Sequence, residues 1–333
     1  MSALPEPALE AAPPTPPEKL KPRRATYLLP WAIGAFVLGL LFLVGWRMAL
    51  VPSGWVTAIA LCLLGVVLFG VSFIPLPDVP QKENPLSLVQ KVTGIFFEPS
   101  RVFRNLREHP NWIGAFIIIG VLSAIYSYAF VTRITPEQII EHARRQAAEA
   151  GTLGGPNEQR EAMLSAQLEA MKNPVSRAAS GLIAFTITFV LVAIIASVSM
   201  LGMLAFGGRI HFWQSLAVTM YVWLPITVIS KVLGIVILYL KSPDDLHPNL
   251  NRDTTLQDNL GILVSAADHP VLFVLLSAIG LISFYTLWLR AKGLYLGATK
   301  ASSGAGWGVS IIVWLIWLFL GITFAILRPG TFA

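Results

Sequence analysis

Seven uninterrupted apolar stretches, each about as long as a bilayer is thick, constrain this chain more than any other feature. They run from Tyr27 to Trp46, Trp55 to Ile74, Trp112 to Val131, Ala179 to Phe206, Phe212 to Leu240, Val271 to Leu289 and Gly308 to Leu327. Of the chain's 24 basic and 18 acidic residues, only Lys231 lies within them. An α-helix needs about 20 predominantly apolar residues to cross about 30 Å of hydrocarbon. No water is present there to satisfy exposed amides and carbonyls, so helices are the expected form. The expected fold is therefore all-α: a polytopic helical membrane protein with about seven transmembrane helices. Charged residues make up 13% of the chain, against about 25% in a soluble domain. The single cysteine, Cys62, rules out an intramolecular disulfide and a thiolate metal cluster.

The basic residues orient the spans. With the N-terminus inside, the inner segments carry Lys19, Lys21, Arg23, Arg24, Lys82, Lys91, Arg101, Arg104, Arg107, Arg209, Arg290, Lys292 and Lys300. The short outer segments carry only Arg47, Lys241, Arg252 and Arg328, and the long outer loop counts for less. The expectation is a cytoplasmic N-terminus and an outer C-terminus. Trp31, Trp46, Trp55, Trp112, Trp213, Trp288 and Trp307 fall at or near span ends, where an amphipathic ring prefers the head-group region. The net charge of +6 lies in loops beside apolar spans. Anionic lipid head groups, and not nucleic acid, are the expected partner of that charge.

Organisation follows from the spacing of the spans. Residues 1–26 are polar and Pro-rich, and cannot bury enough apolar surface to offset the entropy of ordering, so a disordered cytoplasmic tail is expected. Residues 27–75 form a two-span hairpin. The connection before the third span, "NPLSLVQKVTGIFFEPSRVFRNLREHPNW", reads as two short amphipathic helices. Leu88, Val92, Ile95 and Phe96 make one apolar stripe; Val102, Phe103 and Leu106 make the other. Arg101, Arg104 and Arg107 recur at spacing three beside the second stripe. A helix of this kind either lies in the interface, with Phe103 among acyl chains and the arginines among phosphates, or packs on the cytoplasmic ends of the bundle. Between the third and fourth spans, Thr135-Pro136-Glu137-Gln138 is a capping box and Asn173-Pro174 a stop, so residues 135–173 form an outer helical hairpin.

Chemistry is sparse. Lys231 is the one ionisable group inside a span, the usual place to seek function in a membrane protein. Its span of 29 residues is about 43 Å long, which leaves Lys231 near enough to the outer boundary to snorkel. Pro225 cannot donate to the carbonyl of Tyr221 and is expected to kink the helix. Tyr221, Pro225 and Lys231 thus form the candidate kink or intramembrane site, with the structural reading ahead. Ala35 and Gly39 make a small-xxx-small pair suited to close helix contact. The five histidines stand at loop or interfacial positions, with no HExxH motif and no Gly-rich phosphate loop. Asp244, Asp245, His247 and Asp253 read as a polar turn. No catalytic residue, metal or cofactor is expected.

Three segments resemble the Yip domain (Ypt/Rab-interacting) family, in its bacterial form: "IFFEPSRVFRNLREHPNWIGAFII", "FGGRIHFWQSLAVTMYVWLP" and "NLGILVSAADHPVLFVLLSAIGLISFYTLWL". The resemblance covers about residues 85–328 and leaves out the first two spans. It implies a five-helix integral membrane domain with no established catalysis, and in eukaryotes a trafficking role through GTPases and membrane-protein partners. Family members often carry an acidic residue shortly before the aromatic and Trp of the penultimate helix; here Ser283 precedes Tyr285 and Trp288, so no role resting on that carboxylate carries over. The expected function is a non-enzymatic membrane-organising or interaction protein that associates with itself or with a membrane-protein partner. The alternative is a small-solute or ion transporter built around Pro225 and Lys231.

Overall fold

A computed structural model describes residues 25–48, 54–76, 84–141, 157–241, 258–265 and 268–327. The Pro-rich tail and the cluster of Asp244, Asp245, His247 and Asp253 lie outside the described residues. The helices are α1 (Leu29–Arg47), α2 (Gly54–Ser72), α3 (Leu88–Phe97), α4 (Pro99–Glu108), α5 (Ile113–Arg133), α6 (Asn157–Lys172), α7 (Pro174–Ala205), α8 (Phe212–Leu240), α9 (Pro270–Ser277), α10 (Leu281–Gly297) and α11 (Ser303–Leu327). Among the described residues, α1, α2, α5, α7, α8 and α11 are long and apolar enough to cross a membrane. The chain is an all-α polytopic integral membrane protein.

The stretch from Val271 to Leu289 is not one helix, which corrects the expectation of a seventh continuous span. It is divided into α9 and α10 by an extended residue, Gly280 (φ −153°, ψ 165°). The cause is a tertiary contact that no local pattern announces. The residues before a short 3-10 turn at Leu260–Leu263 dock into the break: the Leu260 N–H donates to the Ile279 carbonyl at 3.0 Å, and the Asp258 carboxylate accepts from the Ile282 N–H at 2.7 Å. That carboxylate satisfies one of the orphan amides of the first turn of α10 and faces its positive dipole end. A side chain at position 280 has no room, since a Cβ there would stand 2.9 Å from the Asn259 Cβ and 3.1 Å from the Asp258 carbonyl. The two half-helices still run along the whole of α11. Gly321 faces Val274 near one end and Gly306 faces Ala291 and Tyr295 near the other.

α8 is the centre of the bundle. From Trp213 to Pro225 nearly every side chain is buried, whichever face it occupies, because α4, α5, α7 and α10 surround it. A helix buried on all sides carries apolar residues all round. Its polar residues are satisfied internally: the Ser215 hydroxyl donates to the Ala196 carbonyl of α7 at 2.7 Å and the Thr219 hydroxyl to the Ser215 carbonyl at 2.8 Å. α1 and α2 pair closely at two glycines. A Cβ on Gly39 would lie 2.7 Å from the Cys62 sulfur, and one on Gly65 would lie 2.9 Å from the Ala32 carbonyl. The hairpin then leans on α7, and the Trp213 indole N–H donates to the Ile74 carbonyl at 3.3 Å.

The loops at one end of the bundle meet. Past α7, Gly207 takes a left-handed conformation (φ 75°) that suits glycine, and the Arg209 N–H donates to the Lys300 carbonyl at 2.6 Å. At the opposite end, the Arg133 guanidinium donates to the Lys241 carbonyl at 3.1 Å. There the Thr135–Gln138 capping box closes reciprocally, at 3.0 and 3.4 Å. Lys172 at the end of α6 pairs with Glu137 at 2.6 Å. The hydrogen bond from Lys172 holds the Glu137 carboxyl below its usual range. The centre of the expected outer hairpin, 142–156, lies outside the described residues.

Candidate functional site

The amphipathic connection forms a collar over the N-terminal end of α8. Ser87 opens α3 with a capping box, its hydroxyl accepting from the Gln90 N–H while the Gln90 side chain accepts from the Ser87 N–H. Glu98 separates the two helices and Pro99 starts the second, where its missing N–H costs nothing. α4 buries Val102, Phe103 and Leu106, together with Asn105 and Glu108. Asn105 stitches the approach: its amide donates to the Asn84 carbonyl at 3.0 Å and accepts from the Leu86 N–H at 3.2 Å. The fully buried Gln214 of α8 fastens the other end, donating to the Arg107 carbonyl at 2.7 Å and accepting from the His211 N–H at 2.9 Å. These bonds fix which face of α4 looks outward.

Phe103 does not face lipid, which corrects its place among the lipid-contacting residues; it follows the other reading, packing on the bundle. It is 0% exposed, and its ring fills the space left open by Gly293 of α10. The stripe of α4 is turned to the bundle because α10 offers it a glycine-lined seat. Arg101 and Arg104 are exposed, whereas Arg107 is half-buried and stands 3.6 Å from Glu108. Arg101 is also 3.4 Å from Glu98, in an exposed pair that contributes little. The outward apolar side chains come from α3 instead: Phe97 is 84% exposed and Val89 70%. Periodicity places Phe96 in the apolar stripe and gives no sign of its neighbour. Two of the counted inner charges point inward, Arg290 and Lys91, both nearly fully buried. Burial lowers the Lys91 pKa from its ordinary 10.5.

The intramembrane candidates separate into different surroundings. Tyr221 and Pro225 are buried in the core, and α8 runs through Pro225 without interruption. Lys231 lies further along, its ammonium 4.7 Å from the centre of the Tyr126 ring on α5. The same ring also fills the space beside Gly234. A cation over an aromatic face is stabilised by the ring quadrupole.

The Yip1 domain family model matches residues 93–325. The chain belongs to the Yip1 domain family. In this Yip1 domain protein the match begins inside α3 and ends within the last turn of α11, so the second collar helix, the core and the broken span lie within it and the α1–α2 hairpin does not. Searches of curated proteins and of solved structures find no match. Ser283 precedes the aromatic pair of α10, in which Tyr285 and Trp288 lie with ring centres 5.9 Å apart, and the carboxylate near this helix start comes from Asp258.

Proposed function

We propose that this Yip1 domain protein is a non-enzymatic organiser of the inner membrane, holding anionic lipid at its cytoplasmic collar and meeting membrane-protein partners or further copies of itself through the bundle. The observation that carries the reading is the collar's division of labour. The inner face of α4 is locked to α8 and α10, Arg101 and Arg104 are exposed on that helix, and Phe97 and Val89 are exposed on the adjoining α3. Basic heads next to exposed apolar side chains suit the boundary between phosphates and acyl chains. The basic loops favour the collar end as the inner one, which supports this reading. The transporter reading draws no comparable support, because Lys231 is held against Tyr126.

The test is the lipid that the full chain retains on extraction from a membrane containing phosphatidylglycerol. The variant Arg101→Gln is expected to keep less of it, with about 1 kcal/mol lost for the one charge. An unchanged lipid complement would refute a lipid-holding role for the collar.

A further inference from the structure

A cavity of about 320 Å³ opens between α4, α10 and the start of α11. Ser100, Arg104, Trp288, Lys292, Ser303 and Trp307 line it, and no acidic side chain does. Three elements deliver these groups to one place. Ser100 sits in the first turn of α4 and Ser303 in the first turn of α11, whose N-terminus is capped by the Ser302 hydroxyl accepting from the Ala305 N–H at 3.1 Å. The positive dipole end of a helix start favours an anion. Lys292 lies one turn beyond Trp288, with its ammonium 4.8 Å from the Trp288 ring centre, so the charge is held at the cavity wall. Arg104 makes no ion pair among the described residues and contributes the second cation.

We propose that this cavity holds the phosphate of one anionic phospholipid. Two cations, two hydroxyls and two helix starts match a phosphate group. The remaining walls decide between a lipid and a soluble phosphate. Trp288, Tyr295 and Trp307 are all part-exposed aromatics, and aromatic rings of this kind prefer the head-group level of a bilayer. A lipid would place its phosphodiester between Arg104 and Lys292 and lay its glycerol and first methylenes against the rings. The inference rests on the collar reading above and narrows it from a diffuse basic surface to one open cavity.

Native mass spectrometry of the full chain in mild detergent, titrated with phosphatidylglycerol or with phosphatidylcholine of the same acyl chains, tests it. One phosphatidylglycerol is expected to stay bound at concentrations where phosphatidylcholine does not. Lys292→Gln is expected to weaken that single binding step about five-fold, a loss of one charge contact. Lys300→Gln, at the same end but outside the cavity, is expected to leave it unchanged. Arg104→Gln, at an exposed side chain, supplies the same comparison should Lys292→Gln not fold. Equal binding of the two lipids, or an unaltered step in both cavity variants, would overturn the proposal. Displacement of the lipid by inorganic phosphate would assign the cavity to a soluble anion and overturn it too. The collar reading is judged separately, on Arg101→Gln and total retained lipid.

Discussion

Replacing Gln214 with Met removes the clamp between α8 and the collar while keeping the side chain's length. Gln214 is fully buried and makes two bonds, to the Arg107 carbonyl at 2.7 Å and from the His211 N–H at 2.9 Å. His211 is exposed and recovers its partner from water. The Arg107 carbonyl does not, because the thioether that replaces the amide cannot donate. An ordinary intramolecular hydrogen bond is worth about 1 kcal/mol net, and a buried group left unsatisfied costs about 1–3 kcal/mol. The expected loss is therefore about 2 kcal/mol, and it is localised, since the apolar contacts of Phe103 and Leu106 are untouched. If α4 opens as a local unit, about 2 kcal/mol corresponds to roughly 30-fold faster amide exchange. Hydrogen exchange on the full chain in nanodiscs, read for residues 99–108, measures this. The core of α8 from 216 to 224 should keep its protection. Unchanged exchange in α4, or a uniform rise across the bundle, would refute the idea that Gln214 holds the collar.

Three further outcomes follow from the same geometry. Lys91→Met should raise the thermal midpoint at neutral pH, because burial lowers the Lys91 pKa in the folded chain; between the folded and unfolded pKa values the unfolded state binds more protons, so wild-type stability rises with pH there and the advantage of the variant should shrink as pH climbs toward 10.5. An advantage that did not change with pH would contradict the assignment. Gly280→Val should destabilise the broken span, since no side chain fits against Asn259 and Asp258, and exchange at Ile282 should rise with it; normal yield and protection would show that the break is not held by this contact. Lys231→Met should cost about 0.5–2 kcal/mol through the lost contact with Tyr126, while solute flux in proteoliposomes stays at the wild-type level, and loss of a flux would restore the transporter reading.

The spans are legible in the sequence because a bilayer imposes length and polarity together. Trp55–Ile74 and Phe212–Leu240 are found within a residue or two of their helices for that reason. The broken span is not legible in the same way. "VLFVLLSAIGLISF" carries no charge and only two serines, and hydropathy is blind to a helix divided by Asp258 arriving from a distant segment; the local sign is Gly280, a residue that costs about 1 kcal/mol in a helix interior. The face of Phe103 is likewise undecided by periodicity. An amphipathic stripe says that one side is apolar but not whether protein or lipid covers it, and here Gly293 on α10 decides the matter. The pairing of Lys292 with Trp288 at spacing four can be found from the sequence, whereas its convergence with Arg104 and Ser303 depends on how α4 and α11 pack.

The collar's place at the membrane boundary is the central claim, and site-directed spin labelling tests it most directly. In a Cys62→Ser background reconstituted with phosphatidylglycerol, labels at positions 97, 101 and 103 can be compared for accessibility to oxygen and to a water-soluble nickel complex. A label at Phe97 is expected to favour oxygen, one at Arg101 to favour the nickel complex, and one at Phe103 to be shielded from both or to disrupt the fold. Phe97 and Arg101 labels that both sit in bulk water would contradict the claim.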